Sequence, residues 1–156
     1  MMLSLVAVFA LGFVAGLRTL LAPAALLLVR GGIAGYVVAV ASLAELGIDL
    51  HPKAQSRTRP IALAGRLISG GVTGWLFVNF APAMLVSTGA NGTTFLHVAP
   101  IVGSAVGVVG ALAGAFGGKA ARLWLIARIG RVQAAVAEDV VAIAIAWVAL
   151  ALAGPR

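Results

Sequence analysis

The chain has no cysteine, only four acidic residues, and no Asp, Glu, Lys or Arg anywhere from Leu67 to Gly118. The missing cysteine excludes disulfides, thiol chemistry and thiolate-bound metal. The scarcity of charge excludes an ordinary soluble domain, in which roughly a quarter of residues are charged; here 10% of 156 residues are charged and 62% are hydrophobic. At a mean hydropathy of +1.13, a chain of this size cannot hide its apolar surface from water, and lipid is its natural solvent. The net charge of +7 does not point to nucleic acid, because the basic residues flank apolar runs and none is interleaved with aromatics. There is no Walker loop, dinucleotide fingerprint or HExxH, and no Ser or Thr stands beside a base. No enzyme activity, metal or cofactor is therefore expected.

What is present reads as an all-α polytopic membrane bundle, one domain over 1–156. A spanning helix needs about 20 apolar residues. Spans are expected near 3–29, 31–50, 61–80, 98–126 and 134–153, five in all. The opening MMLSLVAVFALGFVAGLRTLL lacks a basic leader and a clear cleavage site, so it reads as a retained first span. Arg18 interrupts that span and Pro23 follows, predicting a kinked or broken helix near Arg18–Pro23. Gly31–Ala44 is about 21 Å of helix, shorter than a hydrocarbon core of about 30 Å, so the second span must draw Glu45 into the membrane. Pro82, Gly89 and Asn91-Gly92 place a connection in 81–97. His51 and His97 fall on opposite faces of such a bundle and cannot share a metal.

Charge counting orients the chain. With the N-terminus cytoplasmic, Lys53, Arg57, Arg59, Lys119, Arg122, Arg128 and Arg131 lie inside, against Arg30 and Arg156 outside. The expectation is N-in and C-out, with anionic lipid at the cytoplasmic face. Glu45, Asp49, Arg66, Arg122, Glu138 and Asp139 then share one inner-leaflet layer, with Arg18 deeper.

Charges inside a membrane cost roughly 2.5–3.5 kcal/mol on insertion scales and are candidates for function by default. Arg18 is either an anion or headgroup ligand, or a structural arginine bonding carbonyls freed by a break at Pro23. Glu45 and Asp49, four apart on one helix face, suit a proton or cation site or an ion pair with Arg57 or Arg66. Glu138 and Asp139 point about 100° apart. In the first turn of the last span they would complement the helix dipole, with one of them meeting Arg66 or Arg122; the functional alternative is a proton-coupled gate.

Glycine numbers 20 and recurs four residues apart. The fourth span carries two small-residue stripes, Gly103, Gly107, Ala111, Ala115 and Gly110, Gly114, Gly118, which let backbones approach closely. This predicts a central helix or a subunit interface, in a homo-oligomer or against a membrane-protein partner. GFVAGLR and GALAGAFGGK suggest two hairpins related as inverted repeats.

GLRTLLAPAAL, the Glu45–Asp49–Pro52 series, SRTRP with GRLISGGVTG, GALAGAFGGKAAR and AVAEDVVAIAIA together resemble a domain-of-unknown-function family of small bacterial integral membrane proteins. The resemblance covers nearly the whole chain. It implies a bacterial cytoplasmic membrane and transfers no activity. Two functions follow from the residues: a small-solute or ion transporter or channel using the charged layer, or an accessory protein binding lipid or a partner through its glycine faces.

Overall fold

The computed structural model describes residues 2–49, 59–80 and 92–153, with side chains over 4–45, 59–80 and 100–152. Within these residues the chain is all-helical. The elements are α1 (Met2–Leu17), α2 (Leu21–Arg30), α3 (Ile33–Asp49), α4 (Pro60–Phe80), α5 (Gly92–Ile129) and α6 (Arg131–Ala153). Three are long and apolar enough to cross a membrane: α4, α5 from Pro100, and α6 to Leu152.

Contact registers give each helix a direction. Along α1 and α5 the residue numbers rise together: Gly12 faces Gly107, and Gly16 faces Ala111, Gly114 and Ala115. These helices are parallel. Gly74 faces Gly103 and Gly70 faces Gly107, so α4 runs against α5 and hence against α1. Ser69 meets Thr19 at one end of α2, and Phe80 lies under Arg30 at the other, so α2 runs with α4. The chain therefore reverses between α1 and α2. The expected kinked span over 3–29 is instead a hairpin of two helices, with its tip at Arg18-Thr19-Leu20. Pro23 is not the breaker. It lies in the first turn of α2, where its missing N–H has no intrahelical acceptor to lose. From Gly31 and Gly32, at φ 80 and 106, α3 returns along α2. Gly35 packs on Leu27 and Leu28, and Glu45 reaches Thr19 and Leu20.

At the far end of the chain, the basic connection expected around Arg128 and Arg131 shrinks to Gly130, at φ 89. Both arginines are helical. Helix α5 already begins at Gly92, inside the expected connection 81–97. Helix α6 runs against α1. Asp139 meets Arg18, the residue after α1, and Ala142, Ala146 and Ala149 continue into the core beside Ala7, Val8, Leu11, Val14 and Ala15. Met2 and Ala153 thus lie at the same end of the bundle. The expected N-in, C-out arrangement needs the two at opposite ends and finds no support in this placement. GFVAGLR and GALAGAFGGK, read as inverted counterparts, lie on parallel helices packed against each other.

Size is distributed inside-out. The buried apolar set is rich in alanine, including Ala7, Ala15, Ala111, Ala115, Ala142 and Ala146, while Ile33, Tyr36, Val40, Trp75, Phe116 and Trp147 are exposed. Small residues let helices close on one another, and large ones suit a lipid surround that is as apolar as they are. Leu11, Val8 and Val14 are the largest apolar side chains that are fully buried.

Candidate functional site

The hairpin tip lies within the bundle, not at its end. Along α4, Arg66 and Ser69 are about 9 and 14 Å from Pro60; along α6, Asp139 is about 12 Å from Arg131. Arg122 lies about 10 Å before the end of α5. Arg66, Ser69 and Asp139 thus reach the tip from well inside their helices, while Arg122 stands further along α5, past the contact of Gly16 with Gly114 and Ala115. Leu17 and Arg18 at the tip are buried.

A reversal at this depth leaves backbone groups without helical partners. Side chains from neighbouring helices supply them. The Glu45 carboxylate of α3 accepts from the Thr19 N–H at 2.9 Å through Oε1 and from the Leu20 N–H at 3.0 Å through Oε2. It caps the start of α2, whose N-cap Leu20 has no side-chain acceptor of its own. Arg66 Nη1 of α4 donates to the Gly16 carbonyl at 2.9 Å, at the end of α1. The Ser69 hydroxyl donates to the Thr19 carbonyl. Thr73, fully buried one turn on, donates to the Ser69 carbonyl at 2.7 Å.

The second set of contacts joins the tip to α6. Arg18 Nε donates to Asp139 Oδ1 at 2.6 Å, and Nη2 pairs with the same oxygen. The two side chains are 3% and 15% exposed, so the pair sits largely out of solvent and is weakly screened. Beside it, Arg122 Nη1 lies 3.6 Å from Glu138 Oε2, joining α5 to α6.

Four of the seven charged residues singled out from sequence meet at one tip, Arg18, Glu45, Arg66 and Asp139, and Arg122 and Glu138 pair with each other between α5 and α6. The side chain of Asp49 lies outside the described residues, as do Lys53 and Arg57. The hairpin brings Arg18 level with Asp139. The roles also differ from those read in sequence. Arg66 bonds the Gly16 carbonyl at the end of α1. Glu45, read from sequence as a proton or cation site or as a partner of Arg57 or Arg66, bonds the backbone N–H groups of Thr19 and Leu20. Glu138 and Asp139 are well past the first turn of α6, which starts at Arg131, so the helix dipole does not account for them. Sequence reasoning missed Ser69 and Thr73, whose spacing of four on the buried face of α4 was the available signal.

The far side of the layer is apolar. Leu11, Val14, Leu26 and Phe77 are all buried there. Among the described residues no group of three His, Cys, Asp or Glu could hold a metal.

No family model, curated protein or solved structure matches this chain. The family resemblance rests on the quoted segments alone.

Proposed function

We propose that this chain is a small transport protein of the bacterial cytoplasmic membrane, in which the α1–α2 tip and its charged layer couple proton binding to movement of a small solute or ion. One observation carries the reading: a chain reversal at membrane depth whose backbone is held by ionisable side chains. Non-helical backbone is tolerated at such depth only where protein or a wet cavity surrounds it, and broken helices near the middle of a membrane mark binding sites in transporters. In this arrangement α3, α4, α5 and α6 cross, and α1–α2 is a re-entrant hairpin entering from the opposite face. Arg59, Lys119, Arg122, Arg128 and Arg131 stand at the charged end and Arg30 at the other. The positive-inside rule then makes the charged end cytoplasmic and both chain ends external.

Glu45 and Asp139 are the residues that carry the coupling. Protonating Glu45 converts an acceptor oxygen to a hydroxyl and loosens the start of α2. Protonating Asp139 removes the charge that neutralises Arg18. Glu45 closes the α2–α3 hairpin on itself at the tip, and Arg30 over Phe80, 3.9 Å from ring centre, joins its other end to α4.

The test is proton uptake into vesicles holding the purified chain and a pH-sensitive dye, driven by an imposed potential. Wild type is expected to acidify the lumen above protein-free vesicles, and Glu45→Gln and Asp139→Asn to lose that flux while eluting as wild type. No flux from wild type across a panel of ion gradients, or unchanged flux in both variants, overturns the proposal.

A second reading is favoured by the balance of the layer, in which Arg18, Arg66 and Arg122 face Glu45, Glu138 and Asp139. A neutral set is what a purely structural clamp needs. Under it the protein is an accessory that binds lipid or a partner, and replacing the whole Arg18–Asp139 pair with apolar residues leaves its assemblies intact.

A further inference from the structure

Beyond the charged layer, α5 and α6 continue as a helical hairpin about 10 Å past the Arg122–Glu138 contact, closed by Gly130. Its chemistry is unlike the rest of the bundle. From Leu123 to Ala137 there is no acidic residue. Leu123, Trp124, Ile129, Val132 and Val136 are exposed large apolar groups, 45–61% accessible. Arg128 and Arg131 are exposed on either side of the turn. The Arg128 guanidinium lies 4.4 Å from the centre of the Trp124 ring, which holds it on an aromatic face and leaves its N–H edge available.

We infer that this hairpin tip binds the phosphate of an anionic phospholipid headgroup through Arg128 and Arg131, with Trp124 and its apolar neighbours in the acyl boundary. Three observations converge. The tip joins two helices each long and apolar enough to cross a membrane, Pro100–Ile129 and Arg131–Leu152, so it stands where both leave the apolar layer. Exposed apolar residues and arginine on one short hairpin need a boundary that is apolar below and anionic above. Trp stacking pre-sets one guanidinium, and a guanidinium binds phosphate in bidentate fashion. The inference holds whether or not the deeper layer moves protons.

Trp124 supplies the readout. In a full-length Trp75→Phe/Trp147→Phe background, Trp124 fluorescence is quenched by brominated phosphatidylglycerol or brominated phosphatidylcholine in vesicles of matched composition. Each arginine near an anionic surface is worth roughly a five-fold gain in affinity, so two give about twenty-five-fold at low salt, falling as salt rises. The expected result is stronger quenching by the brominated glycerol lipid. Arg128→Gln/Arg131→Gln should abolish the preference, and Arg128→Lys/Arg131→Lys should keep part of it. Equal quenching by the two lipids in the unsubstituted hairpin overturns the inference, with no need for the arginine variants to fold. A preference that the glutamine variant retains also overturns it, as does one that millimolar inorganic phosphate removes, which would mark a soluble-anion site.

Discussion

Arg18 and Asp139 are 121 residues apart in the chain and share a 2.6 Å hydrogen bond inside the bundle. The bond ties the tip of the first helical hairpin to the last helix. It fixes the depth of both, because neither charge has a low-cost alternative in an apolar surround.

Removing one partner should therefore cost more than removing both. Arg18→Met or Asp139→Leu alone leaves an uncompensated charge, with an expected loss of about 3–5 kcal/mol. The double variant should recover a large part of it. Unfolding midpoints in mixed micelles measure the cycle, and additive single losses would show that the pair is not coupled.

Glu45 caps a helix to which it does not belong. Glu45→Ala should cost about 1–2 kcal/mol, in the range of a lost N-cap, and Glu45→Gln less, because one acceptor oxygen remains. Amide exchange at Thr19 and Leu20 should accelerate in the alanine variant while the amides of α5 stay protected. Exchange that rises evenly along the chain would indicate global unfolding instead.

Glycines on different surfaces should respond oppositely to the same change. A Cβ at Gly16 would come within 2.7 Å of the Ala115 nitrogen and 2.8 Å of the Gly114 Cα, both backbone atoms that cannot step aside. At Gly65 nothing lies within 4 Å. Gly65→Ala should be neutral or stabilise by up to about 1 kcal/mol through helix propensity. Gly16→Ala should destabilise the α1–α5 contact, and thermal unfolding of the two variants decides between these outcomes.

The native chain lacks cysteine, so single cysteines report membrane sidedness without a background signal. A cysteine added ahead of Met2 and one added after Arg156 should react with an impermeant thiol reagent from the same side. A cysteine replacing Arg128 should react from the other. Labelling of the two chain ends from opposite sides would contradict the reversal after Arg18.

How much of this was readable from sequence differs by element. Arg66 and Asp139 were legible as residues of interest because each stands inside or at the edge of an apolar run, and both do meet the hairpin tip. The reversal was not. Thr19-Leu20 carries no glycine, asparagine or proline, and the turn is made by acceptors and donors from α3 and α4 that no local pattern announces. Pro23 signalled a discontinuity, but a first-turn proline marks a helix start as readily as a break. The start of α6 was placed three residues late, because Arg128, Arg131 and Gln133 read as a polar connection. Gly130 alone makes that turn, leaving both flanks helical. That Met2 and Ala153 share one end of the bundle depends on the one reversal that sequence did not show.

The cap on α2 also constrains the order of events during synthesis. When Thr19 and Leu20 leave the ribosome, Glu45, 26 and 25 residues further on, is still enclosed within it. A ten-residue α2 is also too short to be taken up as a membrane segment by itself. The first hairpin must therefore wait in a watery or chaperoned setting until α3 arrives, which makes α1, α2 and α3 a single unit of insertion.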